Sequence, residues 1–95
     1  MEDSFKLGDI VLSDAGRDKD RCFVVVDISD EFVFICDGDL RKSDKPKKKK
    51  IKHIRKTEGF SAYIAEKLLE DGKVTNAELR RAVSEFAGTP ADEIS

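Results

Sequence analysis

Apolar residues along the chain fall into two regimes with different periods. As far as residue 55 they come in short, β-branched runs; from Phe60 onward they recur three and four residues apart. In the first regime Gly8-Asp9-Ile10-Val11-Leu12-Ser13 predicts a strand that opens after a glycine, with residues 1–6 as a frayed lead-in. Asp14–Asp20, rich in Asp and Gly, reads as a loop. Arg21–Ile28 is the strongest strand signal in the chain. Ser29-Asp30-Glu31 turns it, and Phe32–Cys36 returns as its antiparallel partner. Asp37-Gly38-Asp39 is a second tight turn. Both faces of the central pair are apolar: Phe23 and Val25 point one way, Val24, Val26 and Ile28 the other. A sheet with one solvated face would alternate polar and apolar residues. Each face therefore needs a cover, one from curling of the sheet into a small barrel and the other from a helical appendage. Pro46 cannot donate to a central ladder and marks a loop or an edge. Lys50–Ile54 reads as a short closing strand whose isoleucines anchor the backbone while its lysines reach outward.

The second regime is helical. Phe60, Ile64 and Leu68, with Ala65 and Leu69, form one stripe, with Ser61 as N-cap and Gly72 as terminator. Thr75-Asn76-Ala77-Glu78 is a capping box, and Leu79, Ala82, Val83 and Phe86 form the next helical face, ended by Gly88 and Pro90. The short Asp71–Val74 connection predicts an αα-hairpin. Two short amphipathic helices are marginal alone, so their stripes are expected to pack on the sheet. The fold class expected is α+β: a small antiparallel barrel over residues 1–57, and a helical hairpin over 58–95 that forms one folding unit with it.

Charge changes this picture at one place. Arg41–Lys56 holds ten Lys or Arg and one acid, a formal +9, whereas the residues before it sum to −7 and those after it to −4. A chain of net charge −2 thus carries a concentrated cationic stripe between acidic flanks, and its natural counter-surface is a polyanion. There is no long apolar run to suggest a transmembrane helix and no apolar signal region after Met1-Glu2-Asp3-Ser4, so a cytoplasmic location is expected. Cys22 and Cys36 sit inside apolar runs without metal-type spacing and read as reduced core thiols. No cofactor or metal is expected.

Gly8–Lys19, continuing into Phe23-Val24-Val25-Val26, resembles a KOW motif. Asp37-Gly38-Asp39-Leu40-Arg41-Lys42 and Lys45-Pro46-Lys47-Lys48-Lys49-Lys50-Ile51-Lys52-His53-Ile54 extend the likeness. Together, over residues 7–55, they resemble the small KOW-domain RNA-binding proteins of bacteria. Those are in turn similar to archaeal and eukaryotic large-subunit ribosomal proteins of the fourteen-e type. The resemblance implies an SH3-like β-barrel, association with RNA or the ribosome, and RNA contacts from the first loop and the basic strand. Asp20 departs from the motif, which has Gly after the lysine, and places an acid in that loop.

Catalytic signatures are thin: His53 lies among cations with no Ser or Cys nearby in sequence, and no phosphate-loop, zinc or nucleophile pattern occurs. Asp14, Asp18 and Asp20 fail the spacing of a calcium loop. The expected function is therefore non-catalytic binding of structured RNA, ribosomal RNA or the ribosome included, through phosphate contacts. The expected site comprises Lys45, Lys47, Lys48, Lys49, Lys50, Lys52 and Arg55, with Arg41, Lys42, His53 and, in the first loop, Arg17 and Lys19. No aromatic residue interrupts Lys45–Arg55, which favours phosphate contacts over base stacking. The alternatives are a protein-interaction module, using the barrel or the acidic helices to meet a protein partner, and a nuclear address in Pro-Lys-Lys-Lys-Lys.

Overall fold

A computed structural model describes residues 4–13 and 21–87. Among these described residues, five strands and two α-helices follow one another as β1 (Asp9–Ser13), β2 (Cys22–Ser29), β3 (Phe32–Cys36), β4 (Lys47–Lys50), β5 (Ile54–Phe60), α1 (Ala62–Asp71) and α2 (Asn76–Ala87). A 3-10 helix, Ile51–His53, joins β4 to β5. The strands form one antiparallel sheet in the order β4-β3-β2-β1-β5. Its two edges, β4 and β5, are linked by only the three residues of the 3-10 helix, so the sheet must bend to bring Lys50 near Ile54. Among the described residues no ladder pairs β4 with β5.

The two-sided apolar pattern of β2 and β3 has its physical counterpart in two separate clusters. Val11, Phe23, Val25, Val33, Ile35 and Ile54 pack together, with Phe5 and Ile51 against them. On the other face Ile10, Val24 and Cys36 meet Ile64, Val74, Leu79 and Ala82, with Leu68 and Val83 alongside. The first cluster is made of sheet residues with Phe5 and Ile51 against them, and the helices cover the second.

Local signals explain the helix ends. The Ser61 hydroxyl accepts from the Ile64 N–H at 3.2 Å, and Gly72 takes a left-handed φ of 78° while donating to the Leu68 carbonyl at 2.9 Å. The capping box closes in both directions: the Glu78 N–H donates to Thr75 Oγ1 at 3.1 Å, and the Thr75 N–H to Glu78 Oε1 at 2.9 Å. The expected terminators Gly88 and Pro90 lie outside the described residues.

Several expectations are corrected. Lys50–Ile54 is not a strand: it spans the end of β4, the 3-10 helix and the start of β5. Isoleucines three residues apart fall on one side of a 3-10 turn, where positions i and i+3 eclipse, and Ile51 and Ile54 both reach the same cluster that way. The basic strand lies earlier, at Lys47–Lys50, and β5 continues past residue 57 to Phe60. Phe60 therefore belongs to a strand and not to the helical stripe, and Leu69 is 76% exposed. Ile28 leaves the Val24 and Val26 face because a bulge between Val25 and Asp27 shifts the register and sets Ile28 opposite Val33. Residues 4–6 are tied down rather than frayed: Phe5 packs on the first cluster, the Lys6 N–H donates to Asp9 Oδ2 at 2.9 Å, and Lys56 Nζ donates to the Ser4 carbonyl at 2.8 Å.

Candidate nucleic-acid interface

The loop that delivers the basic strand to the sheet edge is built around Asp37. Its buried carboxylate accepts the Arg41 N–H at 2.9 Å and the Asp39 N–H at 3.0 Å through Oδ1, and the Arg21 guanidinium at 3.2 Å through Oδ2. Burial pushes this carboxyl up, but the two backbone donors and the Arg21 cation outweigh it and hold it below the ordinary carboxylate value. Gly38 follows with φ of 80° and lies so close to α2 that a Cβ there would run into the Asn76 carbonyl. Arg80 Nη1 donates to the Gly38 carbonyl at 2.7 Å, and the Ser43 N–H donates to Asn76 Oδ1 at 2.7 Å. The loop is thus seated on the first turns of α2, and its exit feeds Lys47 into β4.

Within β4 the lysines alternate. Lys47 and Lys49 pair with Ile35 and Val33 and are half-buried; Lys48 and Lys50 pair with Phe34 and Phe32 and are exposed. Lys48 Nζ lies 4.3 Å from the centre of the Phe32 ring. The Ile51 N–H donates to the Glu31 carbonyl at 2.8 Å, which locks the end of β4 to the β2–β3 turn. Lys52 and His53 stand exposed on the 3-10 helix, and Arg55 is exposed at the start of β5. Lys42 and Lys45 are exposed on the loop. Arg41 is half-buried there, and its Nε is fully covered. Arg17 and Lys19 lie outside the described residues.

Elsewhere among the described residues, five cations face carboxylates. Lys6 and Lys56 face Asp9 at 3.4 and 3.9 Å, and Arg21 faces Asp37 and Asp39 at 3.2 and 3.8 Å. Lys67 faces Asp71 and Glu78 at 3.2 and 3.7 Å, and Arg81 faces Glu85 at 3.1 Å. Among the described residues, no carboxylate lies within ion-pair distance of Lys42, Lys45, Lys47, Lys48, Lys49, Lys50 or Lys52. Asp27, opposite Phe34, and the turn residues Asp30 and Glu31 bound this positive surface on the β2 side.

The remaining chemistry is sparse. Burial pushes the Cys36 thiol up to about 12, helped by the neighbouring Asp37 charge, and raises half-buried Cys22 as well, though Arg21 works against it. Neither is a thiolate at neutral pH. Among the described residues no three His, Cys, Asp or Glu side chains converge as metal ligands, and no helix is long and apolar enough to cross a membrane. Sequence reasoning missed Phe32 and Phe34, which stand beside the lysines although no aromatic interrupts the run itself. The signal lay in the strand pairing, which sets residue 34 against 48 and 32 against 50. No protein-family model matches this chain, and no curated protein matches it in sequence.

Proposed function

We propose that this protein is a non-catalytic RNA-binding protein that holds structured RNA, ribosomal RNA included, by phosphate contacts along β4 and its flanks. The observation that carries the reading is the set of exposed or half-exposed lysines that have no carboxylate partner among the described residues, where most other cations are paired. Like charges four in a row repel one another, and phosphates relieve that repulsion while releasing condensed counterions. Lysine ammoniums are mobile point charges suited to phosphates; they lack the planar fork by which arginine reads bases. Binding is thus weakly selective for sequence. Lys45, Lys47, Lys48, Lys49, Lys50 and Lys52 form the main surface, with Lys42, His53 and Arg55 at its margins and Arg41 largely committed to its loop. In this reading the bent five-stranded sheet is an incompletely closed SH3-like barrel of KOW type, with α1 and α2 as a helical hairpin on its outer side. Its strand order and the short link between its two edges support that assignment. The protein then works in the cytoplasm, in association with ribosomes or the translation apparatus.

Sedimentation of tagged protein with ribosomes tests the proposal. Co-sedimentation at low salt that is lost at high salt is expected, and absence from the ribosomal fraction at every salt concentration would refute the ribosomal part.

A second reading places a protein partner at the helices. Phe60, Tyr63 and Phe86 are 47%, 56% and 39% exposed and line one shallow recess with Glu58 and Glu85, a surface suited to a basic, partly apolar peptide. Retention of partners that survive high salt, with no RNA in the complex, would favour it.

A further inference from the structure

The basic strand β4 is hydrogen-bonded along its length to β3. On β3, Val33 and Ile35 point into the inner cluster, so Phe32, Phe34 and Cys36 share the opposite face. Cys36 is covered by the helices. Phe32 and Phe34 continue that face past the helices: both are half-buried, and neither belongs to either apolar cluster. Their cross-strand neighbours are Lys50 and Lys48, the two exposed lysines of β4, and Lys48 Nζ already lies 4.3 Å from the Phe32 ring centre. Two aromatic rings two residues apart on one strand, flanked by two cations on the next, reproduce the elements of a base-stacking platform: a π-face for each base and an ammonium for the phosphate beside it.

We infer that this face of β3 and β4 takes unpaired nucleotides, stacked on Phe32 and Phe34, where a single-stranded tail or loop leaves a duplex held by the neighbouring lysines. The inference rests on the RNA-binding reading above and specifies its ligand further. Asp27, on the β2 side of Phe34, repels phosphate and sets the direction of approach from the β4 edge. Lys48 covers Phe32 in the free protein and swings to a phosphate when a base takes its place. Stacking does not depend on counterion release, so the added affinity for unpaired bases persists at salt concentrations that weaken duplex binding.

The test compares a blunt RNA duplex with a tailed duplex of equal phosphate number, whose unpaired adenosines include a fluorescent adenine analogue. Full-length protein is expected to bind the tailed RNA about ten-fold more tightly and to quench the analogue. Phe32→Leu/Phe34→Leu should abolish both the preference and the quenching while blunt-duplex binding, which reports an intact fold, is kept. Phe32→Tyr/Phe34→Tyr, which retains the rings, should restore both. Wild-type protein that binds the two RNAs equally, or a Leu variant that keeps the preference, overturns the inference and leaves the phosphate reading standing. Wild-type protein that binds neither RNA at low salt overturns both.

Discussion

Leu79→Ala is the sharpest probe of whether the helices and the sheet form one cooperative unit. Leu79 is fully buried in the cluster that joins β1, β2 and β3 to both helices. The substitution removes about three buried carbons, worth roughly 2.4 kcal/mol at about 0.8 kcal/mol per methylene. A residual cavity adds to this, which places the expected loss at about 3–4 kcal/mol. For a chain of 95 residues the total stability is on the order of 5–14 kcal/mol, so the variant gives up a large share of it. Urea unfolding followed by circular dichroism is the assay, with the midpoint falling and the slope unchanged. Leu68→Ala, at a half-buried position on α1, should cost less. Leu69→Ala, at a 76% exposed position, should stay within about 0.5 kcal/mol of wild type. A Leu79→Ala loss below about 1 kcal/mol, or helical signal melting ahead of the sheet, would refute the packing of the helices on the sheet.

Two further outcomes concern the loop that seats the basic strand. Gly38→Ala should destabilise by more than about 1 kcal/mol, because it meets both a positive φ and the Asn76 carbonyl; unfolding curves check this. Asp37 ionises in the folded protein below its ordinary value, so its contribution is present above that value and lost as pH falls through the lower folded one. Stability measured from neutral pH down into the acid range should therefore fall less steeply in Asp37→Asn than in wild type below about pH 4, and parallel curves would remove Asp37 from the account.

The sequence shows β1 to β3 almost to the residue, because β-branched runs and short polar turns dictate them locally. The helix starts are as legible, since Ser61 and the Thr75–Glu78 box act within one turn. Residues 47–60 are not. Four lysines carry no apolar period, so nothing local marks β4; only its pairing with Phe32–Ile35 makes Lys47–Lys50 a strand. The isoleucines at 51 and 54 report a 3-10 turn, which a two-state choice between helix and strand hides. The bulge at Val26 is equally invisible in advance and displaces Ile28 from its expected face. Of the candidate site, the lysines follow from charge density alone. The rings beside them come from the pairing of β3 with β4, and the lack of carboxylate partners among the described residues shows only in the folded structure.

The measurement closest to the central claim is the salt dependence of RNA affinity for wild-type protein and a variant with Lys47, Lys48, Lys49 and Lys50 changed to Gln. If these side chains and their neighbours neutralise about four to six phosphates, log K for wild type falls with log salt at a slope of roughly −3 to −5. The variant should show a distinctly flatter slope and lower affinity for every RNA tested, with unchanged unfolding behaviour. Lysines on an exposed edge strand can also serve simply to block pairing with another sheet. A variant that aggregates through β4 yet binds RNA with the wild-type slope would assign them that role and contradict the account.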